Sequence, residues 1–340
     1  MGNYHAVTIK DIAQKFNCSP STVSRALSDH YSINEQTRKT ICSYAEEVGY
    51  QRNSISLSLL NKASGSLGII VPTISSYYES SIIEGLFSVL QPLGYSLHVC
   101  VTNESSSCEI EYINKLLANR VEGIFLSIAQ ETYDRSYYEH LENVVKRGVP
   151  LIFIDRECER ISASKVIVDD YLGAYAIVEH LVAMGCQRIA HLKGPNGITV
   201  SQQRFKGYID CLRDYNLPLD EELIITTDFN INSGVLPTQQ LLDLPNPPDA
   251  IFGVNDQIVI GAMRVIQDRN LKIPEDIALA GFDDSPVSAF TYPSLTTLAR
   301  PGRGVGLEAS QLFLRQVKGE THTETVRLPS HLVVRESSCR

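Results

Sequence analysis

Between Thr8 and Leu27 the apolar residues recur at helical rather than alternating spacing. Ile9, Ile12, Ala13 and Phe16 stand three or four apart, which gathers them on one face of a short helix. Thr8 precedes them as a candidate N-cap, with Asp11 at the third helical position to return the hydrogen bond. Asn17-Cys18 interrupts the pattern. Ser19 then caps a second helix, and Pro20 takes its first position, where no amide partner is needed. Val23, Ala26 and Leu27 form the apolar side of that helix, so Ser21, Thr22, Arg25 and Ser28 are left toward solvent. A third helix opens on Asn34, turns Ile41, Tyr44, Ala45 and Val48 inward, and stops at Gly49. Three amphipathic helices closing one small core are predicted.

After Tyr50 the stretch QRNSISLSLLNKASGS reads as a link, with Ser at 54, 56, 58, 64 and 66. Ile55, Leu59 and Leu60 give it one apolar face if it folds as a helix from about Asn53 to Leu60. Helices below about 12 residues rarely persist in water, so this one needs a partner helix or a DNA surface. A linker that never folds is the alternative.

From Ser66 onward short β-branched runs alternate with amphipathic stretches. Strands are expected at 67–72, 96–101, 123–128 and 150–155, and in a second set at 165–169, 188–192, 223–226, 250–254 and 277–282. A last helix is expected from about Gly302 to Val317, with final strands near VRLPSHLVVRES. Alternating strand and helix argues for parallel sheets covered on both faces. Two sets imply two lobes, and ligands of such sheets lie at the carboxyl ends of the strands, in a cleft between facing lobes. Asp155, Asn255-Asp256 and Asp283-Asp284 fall at those ends, and Arg204 follows a strand ending near Leu192. Carboxylates, an amide and a guanidinium suit a polyhydroxylated ligand, whose hydroxyls both donate and accept. Asp and Asn at strand ends are also helix caps and turn formers, so each position has a bland alternative.

Composition narrows the classes. Of 340 residues, 43% are hydrophobic and 20% charged, an ordinary globular mixture with room for two or three domains. No run of about 18 apolar residues occurs, and the N-terminus lacks the pattern of an export signal. A cytoplasmic protein with no membrane partner is expected. Eight cysteines are scattered without a C-x-x-C, so neither a structural metal nor any cofactor is expected. The net charge of −9 is uneven: residues 1–62 hold seven Lys/Arg against five Asp/Glu, the rest 23 against 34. That asymmetry favours nucleic acid at the N-terminus only weakly. Gly302, Gly304 and Gly306 suggest a dinucleotide loop, but the G-x-G-x-G spacing and the poor entry strand TTLARP exclude it. Without a nucleotide loop, a G-x-S-x-G elbow or a metal cluster, an enzyme is not indicated.

Two helices joined by a tight turn resemble the helix-turn-helix, although an ordinary helical hairpin has the same pattern. The resemblance then becomes specific. TIKDIA at 8–13, CSPSTVSRAL at 18–27, SINEQTR at 32–38 and Gly49-Tyr50 resemble the lactose-repressor family of bacterial transcription regulators. Farther on, SQQRFKGY, DFNINSG, GVNDQIVIGAM and GFDDSPVS resemble segments of the family's core. The resemblance implies a small all-α helix-turn-helix headpiece (1–52), a hinge helix and linker (53–65), and an α/β two-lobed periplasmic-binding-protein-like core with parallel sheets (66–340). One lobe would comprise about 66–156 and 290–318, the other about 157–289 and 319–340. It implies DNA contacts from Thr8, Pro20, Ser21, Thr22, Arg25 and Asn34. Asn53 lies in the hinge helix, and Leu59 matches the leucine inserted into the minor groove when two copies pair. It implies effector contacts from Arg204, Phe229, Asn255 and Asp283, with Tyr78 where the family has an aromatic at the cleft mouth; Asp155 joins them as an effector candidate from its place at the end of its strand. Glu79 stands where a second aromatic is usual, which suggests an effector offering a carboxylate partner, such as a sugar hydroxyl or an amine. Arg52, Ser56, Leu57 and Leu60 also depart from the family's hinge pattern.

The expected protein is therefore a homodimeric DNA-binding regulator, a repressor, that binds a pseudo-palindromic double-stranded operator under control of a small effector, a carbohydrate by class. The absence of leucine heptads after the last strands favours a dimer over a tetramer. Two alternatives share the core: a solute-binding protein of the periplasmic sugar-binding type, and a regulator controlled by a protein partner.

Overall fold

A computed structural model describes residues 7–50 and 64–339. It divides into two compact units, Met1–Ser64 and Gly65–Arg340. In the first, helices α1 (Ile9–Lys15), α2 (Pro20–Leu27) and α3 (Glu35–Glu47) follow the expected order. The Thr8 hydroxyl accepts from the Asp11 amide while the Asp11 carboxylate accepts from the Thr8 amide, a reciprocal cap that closes the first turn of α1. Ser19 caps α2 with Pro20 at its start, and Asn34 caps α3. Ile12, Ala13, Val23, Ala26, Ile41 and Ala45 are buried, with Ile9, Phe16, Leu27 and Tyr44 packed around them. Gly49 ends α3 at φ +64°, a conformation costly for any residue with a Cβ. The expected hinge helix, with Asn53 and Leu59, lies outside the described residues.

The second unit contains two parallel sheets. Strands β1 (Ser66–Val71), β2 (Ser96–Val101), β3 (Ile124–Leu126), β4 (Leu151–Ile154), β5 (Ser164–Val168) and β11 (Thr325–Leu328) form a sheet in the order β11-β5-β4-β3-β1-β2. Strands β6 (Ile189–Lys193), β7 (Ile224–Thr226), β8 (Ala250–Gly253) and β9 (Ala278–Ala280) form the other, in the order β7-β6-β8-β9. A short antiparallel pair, β10 (Thr297–Ala299) with β12 (His331–Val333), joins the second lobe beside β9, as the bridges of Ala280 to Thr296 and Asp283 to Ala299 show.

The expected lobe boundaries need correcting. Lys165–Val168 pairs with β4 and β11, so it belongs to the first sheet and not to the second set of strands. Residues 290–299 belong to the second lobe, and β11 to the first. An apolar strand reads the same whichever neighbour accepts its hydrogen bonds, so its pattern carries no sheet address. The chain crosses between lobes near 169–170, 299–302 and 328–331.

Helix Gly302–Val317 packs along helix Tyr77–Leu90 at backbone distance. A Cβ on Gly306 would stand 2.2 Å from the carbonyl oxygen of Ile82, and one on Gly85 would stand 2.3 Å from that of Arg303. The glycine series near 302 thus serves close helix packing. Each sheet reverses its strand order once, between β1 and β3 and between β6 and β8. Loops diverge at such points and leave a crevice.

One core residue predicts a pH dependence. His191 in β6 is fully buried against Phe252, with ring centroids 4.5 Å apart, and its Nδ1 lies 2.9 Å from the Phe252 carbonyl oxygen. Burial pulls its pKa down to about 3 from an ordinary 6.5. The unfolded chain therefore binds the extra proton between those values, so stability is full above pH 6.5 and is lost as pH falls toward 3. The loss has a ceiling of roughly 5 kcal/mol. His191→Phe keeps the ring stack and should flatten the decline of unfolding free energy between pH 6.5 and 4. An equal slope in both proteins would exclude His191 as its source.

Candidate functional site

In the first unit the apolar face of α2 is committed to the core, which leaves its other face free. Pro20, Ser21 and Arg25 are exposed, and Thr22 is half-buried beside them. The hydroxyls of Ser21 and Thr22 both lie within hydrogen-bond distance of Ser19 Oγ, at 2.6 and 2.9 Å. Arg25 sits one turn farther along. Thr8 and Asn34 spend their side chains on the caps of α1 and α3, so each presents a helix N-terminus rather than a free polar group. Helix N-termini attract phosphate through their unpaired amides. The surface thus combines amide-rich helix ends with one guanidinium that can pair bidentately with a guanine edge.

The second unit holds a cavity of about 280 Å³ where the carboxyl ends of both sheets meet. The first lobe contributes Glu79, Glu104, Asp155 and Arg156. The second contributes Arg204, Phe229, Asn255 and Asp283, and Arg300 comes from the crossing between β10 and the last helix. Arg300, Arg156 and Glu104 were not among the positions expected from the sequence, and Arg300 is the one that joins the lobes. Its guanidinium pairs with Asp155 of the first lobe, and its Nη1 lies 3.0 Å from Asp283 of the second. It also stacks 3.4 Å from the ring centroid of Tyr78. Burial opposes its charge, but Asp155, Tyr78, Asp170 and Asp283 outweigh that and hold its pKa well above the ordinary value. Its one sequence signal was an arginine at the point where the chain recrosses between lobes.

Both aspartates occupy unusual backbone. Asp155 has φ +65° and Asp283 φ +120°, a region that favours glycine. Non-glycine residues held there are concentrated at functional sites because the surroundings must enforce them. Burial raises the pKa of Asp283, against the lowering effect of Arg300 and Arg204. Behind it, burial and then Asp283 push Asp256 up to about 7, despite hydrogen bonds from Thr297, Ser288 and Ser285.

The other expected positions sort differently. Glu79 lines the cavity at 9% exposure, and its Oε2 has no hydrogen-bond partner. Tyr78 does not line it: at 2% exposure it lies beneath Arg300, so the expected cleft-mouth aromatic is a platform for the guanidinium. Arg204 touches the cavity but is 2% exposed. Its Nε donates to Asp170 at 2.8 Å, its Nη1 to the Val254 carbonyl at 2.5 Å, and it stacks 3.8 Å from the centroid of Phe282. Asn255 caps the helix Asp256–Asp268 through Oδ1 and donates from Nδ2 to the Phe229 carbonyl, so the bland reading of a cap applies to it. Phe229 is half-buried, lines the cavity, and has the Arg156 guanidinium 5.2 Å from its centroid. Arg156 in turn donates both terminal nitrogens to Glu104, at 2.8 and 2.9 Å. Among the described residues no group of acidic, His or Cys side chains could hold a metal ion. Nor is any helix among them long and apolar enough to cross a membrane.

A helix-turn-helix unit in one chain with a two-lobed binding core defines the class of transcription regulators that couple DNA to a ligand cleft. Residues 8–53 match the family described as bacterial regulatory proteins, lacI family, and residues 178–338 match a periplasmic binding protein-like domain. The chain is 31% identical over 336 residues to the probable HTH-type transcriptional repressor ExuR of Bacillus subtilis (strain 168), spanning 97% of this chain and 98% of that one. It superposes on the Lac repressor dimer bound to operator and the anti-inducer ONPF with a TM-score of 0.85 at 27% identity, covering 98% and 100% of the two chains. A LacI family regulator from Enterococcus faecium with bound ribose matches at TM-score 0.71 and 27% identity, over 80% of this chain and 98% of that one. The chain belongs to the lacI family of bacterial regulatory proteins. Its relatives are transcriptional regulators rather than enzymes. The match over residues 8–53 sets aside the solute-binding alternative, in which such a unit has no use.

Proposed function

We propose that this protein is a cytoplasmic homodimeric repressor that reads a pseudo-palindromic operator through α2 and whose operator affinity is set by a small, sugar-like effector in the interlobe cleft. The observation that carries this reading is the ion triad in which Arg300 ties Asp155 of one lobe to Asp283 of the other inside the cavity. A ligand that reaches those carboxylates changes how the lobes are held, and a site that senses lobe spacing can be linked to DNA affinity through one equilibrium. Dimer formation is supported by an exposed apolar patch on the second lobe, where Phe290 and Tyr292 are each 86% exposed and Val287 stands beside them. Large uncovered apolar surface of that kind marks interaction sites.

Selection of random duplex DNA by the purified protein should enrich a two-fold symmetric sequence. Arg25→Ala should relax the preference at one position per half-site, a loss of about 1–3 kcal/mol of discrimination. Loss of affinity by the same factor on random DNA would show that Arg25 contacts phosphate only. Failure to enrich any site would overturn the operator reading.

A further inference from the structure

The cavity walls can be read as a pairing of charges. Arg156 is matched by Glu104, and Arg204 by Asp170. Arg300 is shared by Asp155 and Asp283. Every guanidinium is therefore engaged, while Glu79 has no cation of its own and one of its oxygens is buried without any partner. Asp228 adds a further carboxylate at the exposed rim, so six carboxylates, with Asp170 behind Arg204 among them, meet three guanidinium groups around the cavity. Isolated buried charge is costly, and the cost falls when a counter-charge arrives with its own hydrogen-bond donors.

The groups facing Glu79 do not supply that counter-charge. After burial, the strongest influence on Glu79 is the like charge of Asp155, followed by the Ser76 hydroxyl, Asp283 and then Arg156, and its pKa is raised above the ordinary value. A neutral hydroxyl could donate to Oε2 but would leave the excess of negative charge in place. An ammonium would satisfy both, donating to Glu79 while its charge is shared with Asp155. The cavity volume of about 280 Å³ lies just below the ~300–1,000 Å³ typical of ligand sites, which favours a single sugar ring over a chain of rings.

Building on the effector reading above, we infer that the effector is a cationic sugar of one ring, an amino-hexose or a molecule of that class, whose ammonium group pairs with Glu79. Its ring hydroxyls would meet the remaining acceptors of Asp155 and Asp283, and Phe229 would cover one face of the ring. Neutral and acidic sugars of the same size are then disfavoured, because neither supplies the missing positive charge.

The test uses the full-length protein and three matched sets of probes: glucosamine, galactosamine and mannosamine, their parent hexoses, and their N-acetyl derivatives, which keep the shape but lose the charge. Thermal shift and isothermal calorimetry at neutral pH should show at least one amino-hexose binding at least tenfold more tightly than both of its uncharged counterparts. Glu79→Gln should reduce that gap to threefold or less. Should the variant not fold, the comparison of charged with uncharged probes on the native protein decides alone. Equal or tighter binding of a parent hexose would overturn the cation inference and leave the sugar-effector reading standing. Retention of the full gap in Glu79→Gln would overturn the assignment to Glu79. Binding by none of the probes would overturn both the inference and the hexose-sized effector on which it rests.

Discussion

Replacing Arg204 with alanine is expected to lower the unfolding free energy of the core by about 3–5 kcal/mol, the range for breaking a buried ion pair by removing one partner. The reason is what remains. Asp170 is 6% exposed and would lose its guanidinium, and the Val254 carbonyl and the ring of Phe282 would lose theirs. Burial already raises the pKa of Asp170, and Arg204 is the first of the groups that lower it again. The variant should therefore take up a proton at Asp170 and regain part of its stability at acidic pH. Equilibrium denaturation of Arg204→Ala, Asp170→Asn and the double variant would show this as an interaction energy, with the double variant less destabilised than the sum. Additive losses would mean that the two side chains contribute independently. An effector defect in Arg204→Ala would have to be read after this correction for stability.

Arg300→Ala is expected to have an effect of similar size with a different signature. Asp155 and Asp283 would face each other across the cleft with no cation between them, and like charges in a desolvated space repel strongly. The lobes should then spread. Amide exchange at residues lining the cleft, such as Arg156 and Asp283, should accelerate by tenfold or more, while amides of the sheet cores such as Ile152 and Ile251 remain protected. Asp155→Asn combined with Arg300→Ala should restore part of the protection, because one of the two opposed charges is gone. Unchanged exchange at the cleft would show that the helices flanking the crossings, rather than the ion triad, hold the lobes together.

The candidate site was only partly legible, and the reason differs from residue to residue. Asp155, Asn255 and Asp283 all follow strands and all invited two readings, helix cap or ligand contact. In the fold Asn255 is a cap, with its amide spent on Ile258 and Phe229. Asp155 and Asp283 instead carry left-handed backbone and pair with Arg300. Short polar side chains favour both outcomes equally, so only the neighbours across the cleft decide. Arg204 was found as a cleft residue, but its near-total burial and its tie to Asp170 make it an anchor as well. Tyr78 was placed at the cleft and proved to be the surface on which Arg300 lies.

The sequence by itself determined the local structure to within a residue or two. The caps at Thr8, Ser19 and Asn34, the strand set of the core and the last helix at Gly302–Val317 all follow from patterns a few residues long. The exception is β10, Thr297–Ala299, in a stretch whose pattern gave no strand and which pairs with β12 more than thirty residues on. The other patterns report backbone conformation and which face is buried, because capping, helical spacing and β-branching act between near neighbours. The tertiary structure alone decided which sheet Ser164–Val168 joins, where the lobes divide, and which carboxylate keeps a buried oxygen without a partner. Those outcomes depend on hydrogen bonds and charge pairs between distant segments: Arg300 and Asp155 are 145 residues apart, and no local pattern in either segment encodes the other.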